Sequence, residues 1–220
     1  MASWFARLVR ADAPPNSLAR RLADYPPYRA PHVGPPRRLS TAQARENLRH
    51  LLAHLDERLA ALTSLLREEG IDPAPALAGG DALALVDRIH AWAGDTWPAL
   101  LRKEQVALAH WLATTRDGDD IVFSMLLDVA LLFGELIRRR DPRWIWALDE
   151  DPVNRRDDMV SAMRPVLLLP STAPGLPDTE LDLEDIVVGR YRKPGDVEYQ
   201  LNPWRRIVTD ATTGRYDPIP

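Results

Sequence analysis

The 220 residues contain no cysteine, and that absence removes several chemistries at once. Disulfide bonds, thiolate metal sites and a cysteine nucleophile are all excluded. Lysine is scarce: Lys103 and Lys193 are the only two among 28 basic residues. The rest are arginines, an excess that the base composition of a G+C-rich genome explains. Glycine is sparse at 11 residues, and none belongs to a G-x-G-x-x-G or Walker-type loop able to cradle phosphate. Neither G-x-S-x-G nor H-E-x-x-H occurs. A basic surplus is also lacking. A formal charge of -4 and a pI of about 5.8 give no electrostatic reason to bind nucleic acid or an anionic membrane. The most apolar run, 121–137, carries Asp128 and Glu135 and is short for a membrane span. Near the start, Trp4, Phe5, Leu8 and Val9 share a helical face that Arg7 and Arg10 interrupt, so no secretory leader is expected. Together these absences predict a soluble, cytoplasmic protein with no cofactor.

What is present is an ordinary folding composition, 45% hydrophobic and 27% charged, in a chain long enough for one substantial domain. Prolines at 14, 15, 26, 27, 31, 35 and 36 make residues 1–39 an extended, irregular arm. Its Tyr25-Pro26-Pro27-Tyr28 misses a PPxY docking motif by one position. The arm therefore reads as wrapping its own domain through Leu22, Tyr25 and Tyr28. Ser40, with Gln43 three residues on, opens a long helix through a capping box. Leu48, Leu52, Leu55, Leu59, Leu62 and Leu66 recur along it at spacings of four and three, and Gly70 and Pro73 end it. Further helices are expected from Asp81, over 99–114, and through the apolar run that follows Asp117-Gly118-Asp119. Beyond Asp141-Pro142 the pattern turns to strands: Trp144-Ile145-Trp146 with both indoles on one face, then 165–169 clipped by prolines. A loop over 171–178, a β-hairpin over 185–201 and a strand at 205–209 follow. Helices first and strands later predict an α+β fold. The expected domain spans 40–215, helical over 40–140 and strand-rich over 143–210, mainly as an antiparallel sheet.

Two constellations offer chemistry. Glu46, His50, His54 and Glu57 fall within a sector of roughly 80° on the first long helix, and histidines at i and i+4 can share a metal ion. They lie opposite the leucine stripe, so they converge towards water, which favours a solvated polar face. On the central helix, Ser124, Asp128 and Glu135 share one edge of an otherwise apolar rod. The two carboxylates stand about 10 Å apart along the axis, too far to share a proton, and buried acids are costly unless paired. Internal arginines are the first expectation for them. An acidic groove for a partner's basic side chain is the second. Trp144 and Trp146 suit core packing, with an interface role as the alternative. Trp204, between Asn202-Pro203 and Arg205-Arg206, is placed in a late loop as a surface anchor.

The stretch 120–150, with Phe133-Gly134-Glu135-Leu136-Ile137 followed by Trp144-Ile145-Trp146, resembles a pattern of small bacterial α+β proteins of unassigned function. Some of those are similar to immunity proteins, which neutralise a toxin made by the same cell. The resemblance implies a non-catalytic protein whose partner is another protein, a toxin or a component of a larger assembly. The contrasting expectation is a hydrolase or metal-dependent enzyme using Asp128 and Glu135 or the histidine cluster. Self-association of the leucine stripe would instead give a homodimer.

Overall fold

The computed structural model describes residues 17–172, 175 and 177–216, with the backbone alone at Ser17 and Arg37. The apolar face expected over residues 4–9 lies outside them. In chain order the helices are α1 (Ser17–Ala23), α2 (Thr41–Ala53), α3 (Leu55–Glu68), α4 (Ala74–Leu77), α5 (Ala82–Thr96), α6 (Leu108–Ala113) and α7 (Val122–Arg140). Then come β1 (Ile145–Leu148), α8 (Pro152–Arg156), β2 (Pro165–Leu169), β3 (Thr179–Leu181), α9 (Leu183–Arg192), α10 (Val197–Gln200) and α11 (Pro203–Thr212). The class is α+β: the N-terminal half is helical, and a small antiparallel sheet lies in the C-terminal half.

Helix α7 is the rod expected at the centre. Every residue from 122 to 137 is buried, as a helix apolar on all sides requires. Helices α3, α4, α9 and α11 pack around it. Its last turn, Arg138-Arg139-Arg140, supplies cations to the negative helix end. No helix among the described residues is long and apolar enough to cross a membrane. The sheet runs β1-β2-β3, with Ile145 opposite Leu168, and Leu167 opposite Leu181.

Three expectations about elements are corrected. The helix opened by Ser40 does form through its capping box, but it breaks at His54 (φ -107°, ψ 8°). There the His54 ring bonds the same His50 carbonyl that its backbone N–H uses. The break rotates the apolar face, so Leu51 is buried and Leu52 is exposed, while Leu59, Leu62 and Leu66 enter the core of this same chain. The helix expected over 99–114 is reduced to α6 preceded by two 3-10 turns, 97–99 and 104–106. Buried Gln105 explains this. Its side chain accepts from the Arg102 N–H and the Tyr191 hydroxyl and donates to the Asp119 carbonyl, which ties the backbone into turns.

The hairpin over 185–201 is helix α9, a turn and α10, and the strand at 205–209 is part of α11. Asp182 caps α9 through the Asp185 N–H at 2.9 Å. Asn202, in the left-handed region at φ 53°, caps α11 with Pro203 in its first turn. Val187 and Val188 favour strands by propensity. Here both are fully buried on a helix that packs along α7, and tertiary burial outweighs a preference worth a few tenths of a kcal/mol, about 0.5. The region over 143–210 is therefore strand-bearing only as far as Leu181.

The described part of the arm, residues 17–39, is not extended throughout as expected, since Ser17–Ala23 form α1 and Pro36–Arg38 a 3-10 turn, and it lies against the body. Leu18, Leu22, Tyr25 and Tyr28 are all buried. The Tyr28 N–H donates to the Ser124 hydroxyl of α7 at 2.8 Å. His32 exchanges two backbone bonds of 2.9 Å with the Asn47 side chain of α2.

Candidate functional site

The acids of the central rod are satisfied from within. Asp128 is fully buried and takes a bidentate grip from Arg58, Nε to Oδ1 at 2.9 Å and a terminal nitrogen to Oδ2 at 2.6 Å. The Tyr25 hydroxyl donates to the same carboxylate at 2.5 Å. The other terminal nitrogen of Arg58 donates to the Pro26 carbonyl at 2.7 Å. Burial pushes the Asp128 carboxyl up to about 6 against the pull of Arg58 and Tyr25, and burial likewise raises the Tyr25 phenol. Glu135 accepts from Arg138 at 2.7 Å and from the Trp146 indole at 2.9 Å. Both carboxylates are buried and each is paired with an arginine of the same chain, as the internal-arginine reading expects.

The four candidate metal ligands are not brought together. Glu46 turns to His32, Oε2 to Nε2 at 2.7 Å. The His50 and His54 rings lie against each other with centroids 4.2 Å apart and planes tilted by 41°, and Glu57 is exposed. Among the described residues no group of three or more His, Asp or Glu side chains is placed to hold a metal ion.

Of the three candidate tryptophans, Trp144 and Trp204 are buried and Trp146 is half-buried. Trp144 is fully buried, with its indole donating to the Ala211 carbonyl of α11 at 3.1 Å. The Trp146 indole closes directly on Gly134 of α7, and its N–H donates to the adjacent Glu135. The Phe-Gly-Glu segment and the Trp-Ile-Trp strand thus form one structural lock. Trp204 is not a surface anchor: it opens α11, is 1% exposed and packs among Trp97, Phe133 and His90.

The structure assembles a different site, which no sequence motif announces. A recess of about 100 Å³ lies between the arm, α2, the 111–116 segment and the 163–165 segment. Its floor is ionic and buried. Glu184, at the start of α9, accepts from the Trp111 indole at 3.2 Å, from Arg116, and from Arg164 at 3.0 Å. Arg164 also pairs with Asp182 at 2.8 Å and stacks over Trp111, 4.3 Å from the ring centroid. Burial opposes a charge on Glu184, but the two arginines win and hold its carboxyl down to about 2. Burial likewise disfavours charge on Arg164, and its acidic neighbours keep it charged. Tyr28, Leu39, Leu51 and Leu127 supply aromatic and aliphatic walls. Val33 stands exposed at the rim.

Two lining residues carry backbone strain. Arg116 (φ 60°) and Met163 (φ 64°) occupy the left-handed region, where only two further non-glycine residues of the described chain are found, Asp158 and Asn202. That conformation costs about 1 kcal/mol or more for a bulky side chain and persists only where the surroundings enforce it. Other hollows, of about 350 to 480 Å³, have no buried charged group in their lining. Comparison of the chain with protein-family models, with curated proteins and with solved structures returns no match.

Proposed function

We propose that this chain is a non-catalytic protein that binds another protein, through the face where the arm crosses α2. One observation carries the reading: the recess with the buried ionic floor holds about 100 Å³. Pockets that enclose a whole small-molecule ligand measure ~300–1,000 Å³, and the hollows of that size here have no buried charged group in their lining. This recess suits one side chain, the kind of anchor pocket around which protein interfaces concentrate their binding energy. Its floor is ordered before any partner arrives, which reduces the entropy lost on association. Neutralisation of a toxin and service in a larger assembly both belong to this reading, as does a cytoplasmic setting.

The test uses Val33, which is 55% exposed at the rim, so its replacement leaves the core intact. Tagged wild-type chain and a Val33→Asp variant of equal melting temperature are used to capture proteins from the source organism. The reading expects a protein held in stoichiometric amount by the wild type and lost by the variant. Equal retention by both would refute binding at this face.

A further inference from the structure

We infer that the recess is a receptor for a single carboxylate group on a short stem, with Arg116 as the group that grips it. The inference rests on the unspent hydrogen-bonding capacity of the floor and holds whether or not the partner is a protein.

The polar groups lining the recess are nearly all spoken for. Asn47 spends its amide on the arm. Thr114 donates to Asp120 and accepts from the Arg116 N–H, and Thr115 donates to Asp117. The Glu184 oxygens receive three donors. Arg164 spends its two terminal nitrogens on Asp182 and Glu184 and lies buried under Trp111. Two groups keep capacity that a visitor can reach, the Tyr28 hydroxyl and the partly exposed Arg116. A guanidinium has five N–H groups, and Arg116 spends one on the Phe123 carbonyl and one on Glu184. The remaining N–H groups of Arg116 have no protein acceptor among the described residues. The backbone carbonyl of Arg116 is fixed by the Ser124 hydroxyl at 2.8 Å, and its guanidinium lies 5.9 Å from the Tyr28 ring centroid. The donor is therefore held at the recess in a strained backbone conformation, with capacity left over.

Surplus N–H donors in a planar fork call for an oxygen acceptor, and carboxylate geometry matches the fork. Charge sets the valence. Arg116 and Arg164 face Glu184 and Asp182, with Asp185 acting on the same group, so no net positive charge is left over and a singly charged ligand is tolerated better than a doubly charged one. His32 at the rim is already engaged with Glu46. Size sets the stem: a cavity of about 150 Å³ holds benzene, so about 100 Å³ holds a carboxylate with one or two methylenes. An acidic side chain of a partner and a free short-chain acid both present that group.

The test is a titration of the isolated full chain at constant ionic strength, followed by the indole N–H signal of Trp111 in NMR. That indole bonds the same Glu184 oxygen as Arg116, and a Trp111→Phe variant identifies its signal. The probes are propionate, N-acetyl-glutamate N-methylamide, propionamide and inorganic phosphate. Propionate is expected to shift the signal saturably, with Kd on the order of 1 mM for so few atoms. Propionamide and phosphate are expected to bind at least about 10-fold more weakly, since they lack the charge or carry too much. Saturation by the glutamate derivative as well assigns the group to a protein partner. Saturation by propionate alone assigns it to a free acid. Arg116→Lys retains the ion pair with Glu184 but loses the fork, and is expected to bind propionate at least about 10-fold more weakly. The inference is overturned if propionate gives no saturable shift, if propionamide matches it, or if Arg116→Lys binds it as well as the wild type. None of these outcomes bears on the capture experiment with Val33→Asp.

Discussion

At the scale of single residues, the recurrent event is the capture of a buried carboxylate by arginine. Asp128, Glu135 and Glu184 are each held this way. Glu180 of β3 is the contrast. It shares the Asn154 amide with buried Asp149, at 3.2 and 2.9 Å, and no arginine pairs with it in the described structure. Burial, followed by repulsion from Asp149, Asp151 and Asp178, pushes its carboxyl from 4.5 up to about 7. The fold therefore prefers Glu180 protonated. The stability this group contributes is complete below about pH 4.5 and is lost as pH rises through about 7. In urea melts, Glu180→Gln is expected to raise the midpoint at pH 8 and to change it little at pH 4.5. An unchanged midpoint at pH 8 would mean that the repulsion is relieved in solution.

At the scale of elements, the seam between α7 and β1 depends on a missing side chain. Gly134 lets the Trp146 ring lie directly on the helix backbone, and a Cβ there would overlap the indole. Gly134→Ala gains about 1 kcal/mol of helix propensity but forces the indole off its seat, at a cost of about 1–3 kcal/mol for overpacking. It also strains the bond from Trp146 to Glu135. A lower denaturation midpoint with altered near-UV circular dichroism is expected, and a higher midpoint would show that the indole is not seated as described. The same seam accounts for the local pattern over 133–146 in packing terms: glycine for clearance, glutamate for the indole N–H, tryptophan for the area buried.

At the scale of the whole molecule, Asp128 ties three separate parts together. Its carboxylate receives Arg58 from α3 and Tyr25 from the arm, and Arg58 also holds the Pro26 carbonyl. Asp128→Ala leaves a buried guanidinium uncompensated and is expected to cost about 3–5 kcal/mol, a large fraction of the roughly 5–15 kcal/mol that holds a domain folded. Replacing both partners, Arg58→Met with Asp128→Leu, removes the charge from the core and is expected to cost far less than the single change. Chemical denaturation of the two variants decides the matter: equal losses would mean that the pair does not act as a unit.

The sequence by itself determined the central rod, the capped start of α2, the proline-clipped strand β2 and the α+β class. Each follows from signals read within a few neighbouring residues: hydrophobic periodicity, a capping box, a donor removed by proline. Local signals for the late helices were present too, in Asp182 ahead of Asp185 and in Asn202-Pro203, but the β-branched pair Val187-Val188 pointed the other way. Only burial against α7 settled it. The recess was beyond such reading altogether. Its floor joins Trp111, Arg116, Arg164 and Glu184 from segments far apart in the chain. Nothing in the spacing of those residues encodes their meeting, because long-range packing and ion pairing select partners by position in space.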